Sequence, residues 1–409
     1  MRFNTALLHG NFKCDEKTGA TQVPIYQSTS FEQKSPEKLE NIFKGSEIGF
    51  IYSRINNPTV ESFEKRIAFL EGGVGAVACS SGMAAITLAV LNILKSGDEI
   101  VSGSGIFGGT HSLFKNLSDY GIVTRYAEDS EVESFEKAVN QNTRLIFVET
   151  IGNPRLDVPN IKELAKLAHS KGIPLIVDNT AATPYLIRPL KLGADIVVHS
   201  TSKYISGSGN TIGGVIVDGG NFKWDFKKYD TLKEYEKFGV FTYLAKLRKG
   251  LFKDIGACLS PFNAYLSSIG LETLGIRMER ICENAKELSL YLEKNPKVLK
   301  VNYPGLKSSK YFERANEQFD GKFGGILTIR VGTKDAAFKI INSLKFPSNL
   351  ANIGDVRTLV IHPASTIYAT NTCEERQMMG VYDDLLRISV GIEDIEDIKE
   401  DFDQALKSL

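Results

Sequence analysis

Four short apolar stretches of this chain each end in a cluster of polar residues. Residues 77–79 run into Ser80, Ser81 and Gly82, and residues 147–149 into Thr150, Gly152 and Asn153. Val177 leads to Asp178, Asn179 and Thr180, while Val198 leads to His199, Ser200, Thr201, Ser202 and Lys203. Together they offer a carboxylate, hydroxyls, a glycine turn and an amine. Such a set suits a phosphorylated aromatic cofactor held by a lysine as a Schiff base. A phosphate dianion takes N–H donors from a helix start at Gly82 and Met83, and hydroxyl donors from Ser200 and Ser202. Asp178 can keep a pyridine nitrogen protonated, which makes the ring an electron sink. Lys203 supplies the amine and, once released, a base.

Taken singly, these residues have plainer readings. Lys203 alone is a surface lysine after a strand, Asp178 a helix N-cap, and Gly82 a turn glycine. Tyr52 and Arg54 alone are a solvated loop. Asn153 before Pro154 is a common turn pair, and Arg387 has Asp383 and Asp384 close by as partners. His111 and His199 lack a histidine four residues away, so packing is expected of them and no metal site. Cys79, inside an apolar run, reads as packing.

The elements around these residues alternate. Apolar, β-branched runs at 74–79, 99–102, 144–149, 175–178, 195–199 and 214–217 are separated by amphipathic stretches such as SFEKAVNQ and IKELAKLAHSKG. That order predicts βαβ units and a mainly parallel sheet with helices on both faces. In such sheets ligands bind beyond the carboxyl ends of the strands, so the four polar ends should share one site. Residues 1–57 show no clear period and are expected to form an irregular arm against another subunit. Pro58 starts a helix that Gly72 and Gly73 close. Residues 58–258 form the expected α/β domain, interrupted by a charged, aromatic excursion at 223–249. Residues 259–409 form a smaller α+β domain, with a long helical pattern over 261–295 and strands near 325–331, 359–362 and 386–390.

Composition narrows the class. The 409 residues carry 49 Lys+Arg against 49 Asp+Glu, so formal charge is zero and no nucleic-acid or membrane-surface partner is expected. The 5 cysteines are scattered, with no C-x-x-C, as suits reduced thiols in a cytoplasm. Residues 72–94 lack any charge and are long enough to span a bilayer. The centre, CSSGM, breaks the pattern and reads as a strand, a turn at 80–82 and a helix over 83–94.

VDNTAATPYLIRPLKLGADIVVHSTSKYISG resembles the cofactor-lysine signature of the Cys/Met-metabolism family of pyridoxal phosphate enzymes. YSRINNPT, SSGMAA, FGGT, GNP and RISVGIED match further blocks of that family. The resemblance covers nearly the whole chain and implies the aspartate-aminotransferase fold (fold type I). It implies pyridoxal 5'-phosphate as cofactor, with Lys203 as Schiff-base lysine and Asp178 as pyridinium partner. Gly82, Met83, Ser200 and Ser202 become phosphate ligands, and Thr180 and Phe107 further cofactor contacts. Tyr52 and Arg54 resemble the pair that reaches the neighbouring subunit's phosphate, which implies a dimer at least, commonly a dimer of dimers. Arg387 resembles the arginine that clamps the substrate carboxylate, with Asn153 and the Ser365 backbone beside it. Ser202 stands where the family usually has threonine, and the hydroxyl is kept.

Two features point within the family. The long stretch after Gly220 resembles that of O-acetylhomoserine sulfhydrylases, whereas cystathionine synthases and lyases have a shorter link. Phe107 stands where the family normally has a tyrosine that assists proton transfer. Loss of that hydroxyl favours a carboxylate leaving group, whose conjugate acid has a pKa of about 4, over a thiolate, whose conjugate acid has one of about 8.5. The expected reaction is γ-replacement, joining sulfide or methanethiol to O-acetylhomoserine; a sulfur carrier protein is a conceivable donor. Cystathionine γ-synthase and methionine γ-lyase activities are the alternatives. A more distant one is an NAD-dependent dehydrogenase, because Gly103, Gly105 and Gly108 spell G-x-G-x-x-G, with Glu128 about 20 residues on.

Overall fold

The computed structural model describes residues 1–409. Seven strands form the larger sheet: β1 (Gly75–Cys79), β2 (Glu99–Gly103), β3 (Val123–Ala127), β4 (Thr143–Glu149), β5 (Leu175–Asp178), β6 (Ile196–Ser200) and β7 (Gly214–Asp218). Their spatial order is β1-β7-β6-β5-β4-β2-β3. From β3 to β6 every pairing is parallel, and β7 runs antiparallel to both β6 and β1. Helices cover both faces because the strands are apolar on both. Along β4, Ile146 and Val148 enter one hydrophobic cluster, while Leu145 and Phe147 enter another on the opposite face. The two-residue period of a strand makes this division.

A second sheet has the order β10-β11-β12-β9-β8, with β8 (Lys300–Asn302), β9 (Ile326–Arg330), β10 (Ser348–Asn349), β11 (Leu359–Ile361) and β12 (Leu385–Ser389). The helices Pro261–Glu272 and Leu274–Glu293 lead into it. One cluster of 68 buried residues runs from Ala76 and Val177 of the first sheet to Leu327 and Ile388 of the second. The two sheets are therefore held through a continuous apolar core.

Several expectations need correction. The first 57 residues are not wholly irregular: helices form at Phe3–His9 and Pro36–Lys44, the latter capped by Ser35 and closed by Gly45 in the left-handed region. The helix after the SSGM turn begins at Gly82 and ends at Leu91, earlier than the apolar run suggested. Strand β3 was not expected at all. It is the sheet's edge, so Thr124 and Arg125 interrupt its apolar pattern without cost. The helix Pro58–Glu71 does end where Gly72 takes φ 84°. No helix is long and apolar enough to cross a membrane.

Candidate active site

The carboxyl ends of β1, β4, β5 and β6 open into one cavity of about 500 Å³. Gly82 and Met83, Phe107, Asn153, Asp178, Thr180, Ser200, Ser202, Lys203 and Arg387 all line it. These sequence-expected residues are thus brought together from positions as far apart as Gly82 and Arg387.

One end of the cavity is built for an anion. Ser81 caps the helix Gly82–Leu91, its Oγ accepting the Ala84 N–H at 3.0 Å. The Gly82 and Met83 N–H groups come first in that helix and have no acceptor within it. A Cβ on Gly82 would lie 2.6 Å from Ser200 Cβ, so only glycine lets β6 approach this turn. Ser202 Oγ donates to the Gly213 carbonyl at 3.2 Å and accepts the Gly213 N–H at 3.0 Å.

Asp178 occupies the other end. Its Oδ1 accepts the Thr180 N–H at 2.8 Å, and Thr180 Oγ1 in turn accepts the Ser200 N–H at 2.8 Å. Asp178 is buried without a salt-bridge partner, and burial raises its carboxyl above the usual range despite the Thr180 hydrogen bonds. A buried carboxylate without a cation is an incomplete pair, and a protonated ring nitrogen would complete it. Behind it, on the other side of the sheet, Glu71 Oε1 accepts from Asn179 Nδ2 at 2.8 Å and meets His199 Nε2 at 2.7 Å. His199 is therefore packing, held by a helix-end carboxylate.

Lys203 extends into the cavity and donates to Asn352 Oδ1. Burial, with the Arg387 charge adding to it, lowers the Lys203 amine to about 8. Arg387 is 3% exposed. Its Nη1 donates to Asn153 Oδ1 and its Nη2 to the Asn352 carbonyl, each at 3.1 Å, while Nε has no partner. Asp383 and Asp384 do not claim it, since they pair with Arg376 and Arg330. A buried guanidinium in the cavity wall, with an N–H left unpaired, suits a carboxylate partner.

The site also holds residues that sequence reasoning did not pick. Glu149 accepts the Phe107 N–H at 2.6 Å. Burial first, then the neighbouring Asp178, pushes its carboxyl well above the usual range. Tyr368 Oη donates to the Asn153 carbonyl at 3.0 Å and accepts the Gly108 N–H at 3.2 Å. The Phe107 and Gly108 N–H groups are thus committed to acceptors inside the protein. They are not free to hold a pyrophosphate, as the dehydrogenase reading of this glycine run requires.

Ser365 does not line the cavity; its hydroxyl lies 2.8 Å from His362 Nδ1, and Asn352 occupies the place beside Arg387. Tyr52 and Arg54 also lie outside the cavity. Arg54 stacks 5.3 Å from the Tyr52 ring centre and donates to the Lys253 carbonyl. A larger hollow of about 870 Å³, lined by Arg155, Lys300, Arg330 and Tyr382, lies outside the strand-end site and contains none of these groups.

Residues 4–407 match the family described as Cys/Met metabolism PLP-dependent enzyme. The chain belongs to that family. Its donor set accordingly meets pyridoxal phosphate: an anion cradle, an unpaired buried carboxylate and an amine share one cavity. The family's Thermus thermophilus O-acetyl-L-homoserine sulfhydrylase 1 is 44% identical over 99% of this chain and 100% of its own. Sulfhydrylase FUB7 of Fusarium oxysporum is 44% identical over 99% of this chain and 97% of its own. A Campylobacter jejuni structure named O-acetylhomoserine (thiol)-lyase, bearing N'-pyridoxyl-lysine-5'-monophosphate, superposes with a TM-score of 0.93 at 33% identity, covering 100% of both chains.

Proposed function

We propose that this PLP-dependent enzyme catalyses γ-replacement on O-acetyl-L-homoserine, with sulfide or methanethiol as nucleophile, releasing acetate and homocysteine or methionine. One observation carries the reading: Arg387, with a free Nε, and Lys203, with a lowered amine, line the same cavity. That pairing fits an α-amino acid held by its carboxylate while an amine works at its Cα. The relatives' names support the acyl ester as donor.

Pyridoxal phosphate, when bound, supplies the electron sink that makes the substrate's Cα and Cβ protons removable. Gly82, Met83 and Ser200 would hold its phosphate, with Ser202 joining them once its hydroxyl turns from the Gly213 carbonyl; Asp178 would hold the ring nitrogen's proton, and Phe107 would face the ring. Thr180 keeps Asp178 and Ser200 in register. Lys203 is the tether and then the base that moves protons at Cα and Cβ. Arg387, oriented by Asn153, holds the substrate carboxylate so that the Cα–H faces Lys203. Phe107 has no proton to give, and none is needed: acetic acid has a pKa of about 4, so acetate leaves as the free anion. Ile86, Ile151, Ile353 and Ile367 give the cavity an apolar wall. Water that entered would divert the reaction towards 2-oxobutanoate and ammonia.

Tyr52 and Arg54 complete the site of a neighbouring subunit in this reading. Their place outside the cavity supports it, as do the exposed Phe43 and Ile48 of the same arm. A dimer at least is the assembly in this reading, a dimer of dimers being what the family resemblance implies, with free sulfide or a sulfur carrier protein as the donor.

Steady-state kinetics test the proposal, with O-acetyl- and O-succinylhomoserine against sulfide, methanethiol and cysteine. The acetyl ester with sulfide or methanethiol is expected to give the highest kcat/KM. Release of methanethiol from methionine as fast as acetylhomoserine is consumed would overturn it.

A further inference from the structure

Cys79 and Cys258 sit directly opposite one another. Cys79 closes β1, and the chain returns past it after the helix Leu251–Ile255, so that one antiparallel bridge pairs the two residues. The Ser80 N–H donates to the Ala257 carbonyl at 2.8 Å. A bond from the residue after one cysteine to the residue before the other marks a non-hydrogen-bonded pair. This is the narrow type, with Cα atoms about 4.5 Å apart and both side chains leaving the same face. A disulfide needs Cα atoms about 4.4–6.8 Å apart, so the backbone meets the requirement near its short limit. Both thiols are free, and Cys258 packs against the cluster that contains Cys79.

The two thiols differ in access. Cys79 is fully buried, and burial raises its thiol far above the ordinary value. Cys258 is half-buried and lines a hollow of about 220 Å³ shared with Asn57, Glu64 and Arg248. An oxidant therefore meets Cys258 first.

We propose that Cys79 and Cys258 are a modification site that forms a reversible disulfide under peroxide. The Cys258 sulfur attacks the peroxide O–O bond, giving a sulfenic acid and one water. The Cys79 sulfur then displaces the sulfenic hydroxyl, and the Cys79 proton leaves with it as a second water. Two thiols and one hydrogen peroxide thus give one disulfide and two waters. The link joins the strand that enters the Ser80–Gly82 turn to a segment that lines one hollow with Ser53 and Asn57. It ties the strand that leads into the anion cradle to the segment whose Lys253 carbonyl accepts from Arg54, and it does not depend on which substrate the enzyme uses.

The test uses the full-length reduced holoenzyme, treated with hydrogen peroxide, alkylated with iodoacetamide and mapped by mass spectrometry. A peptide linking Cys79 to Cys258 is expected, lost on dithiothreitol treatment and formed at a rate independent of protein concentration. The exposed Cys14 and Cys373 serve as internal controls for oxidant delivery. If those two are oxidised while Cys79 and Cys258 are recovered unlinked, the proposal is wrong. Cys258→Ser under the same treatment should give no linked peptide at Cys79.

Discussion

Glu149 Oε1 accepts the Phe107 backbone N–H at 2.6 Å, and in the β4–β5 register Glu149 stands opposite Asp178. Two carboxyl groups thus share one end of the cavity, and their surroundings give them different tasks. Asp178 is positioned for a cationic ring nitrogen. Glu149, pushed well up by burial and by Asp178, holds the loop that carries the Phe107 ring.

Replacing Glu149 tests that division. Gln can offer the same carbonyl oxygen to the Phe107 N–H, so Glu149→Gln should stay within about 1 kcal/mol of the parent. Glu149→Ala leaves that N–H buried without an acceptor and should cost about 1–3 kcal/mol. Denaturant melting measures both, and visible circular dichroism of the bound cofactor reports whether the Phe107 ring has moved. If Gln destabilises as much as Ala, the carboxyl is ionised in the folded protein.

The amine of Lys203 gives a pH signature. With burial and Arg387 lowering it to about 8, cofactor capture by the apoenzyme should speed up with rising pH and level off near that value. An ordinary lysine would keep gaining towards about 10.4. Because the folded-state value lies below the unfolded one, this group's contribution to stability rises as pH climbs from about 8 to 10. In Arg387→Met the plateau should move to higher pH; stopped-flow absorbance of pyridoxal phosphate capture would show it.

Arg387→Lys keeps a positive charge but loses the planar fork. Loss of about 2–3 kcal/mol of carboxylate binding corresponds to roughly a 30- to 150-fold rise in KM for the acyl ester. The effect on kcat should be much smaller. A fall confined to kcat would mean that the arginine acts on the chemical step and not on the carboxylate.

Phe107→Tyr restores a hydroxyl where the cavity has none. Methionine elimination, whose leaving thiolate gains from a general acid, should rise by about 10- to 100-fold relative to acetylhomoserine turnover. Assays of methanethiol release and acetate release on one preparation give the ratio. An unchanged ratio removes Phe107 from the argument about leaving groups.

Subunit sharing has its own experiment. Arg54→Ala and Lys203→Ala preparations should each be nearly inactive. Dissociated and reassembled together, they should regain activity, because each hybrid dimer then contains one site with both residues intact. Hybrids that stay inactive would mean that each subunit's Arg54 serves its own Lys203.

Much of the site was legible because its chemistry lies next to local punctuation. Gly82, Asp178, Ser200 and Lys203 each stand within a few residues of the end of a buried strand, and β-branched runs mark those ends plainly. Ser365, whose backbone is expected beside Arg387, does not line the cavity, and its N–H is turned to His362. It lies on a short turn after β11, where no period tells which residue faces inward, and its hydroxyl is turned to His362. The edge strand β3 and the helix Phe3–His9 leave no clear mark in the sequence, because one alternates with solvent and the other is too short to show a period.

By itself the order of residues determined the alternating α/β plan and the four polar strand ends, since each rests on interactions between near neighbours in the chain. Only the tertiary structure decided that Asn352 joins Lys203 to Arg387, that Glu149 holds Phe107, and that Cys79 faces Cys258. Those contacts link segments 35 to 179 positions apart, and only the packing of the apolar core brings them together.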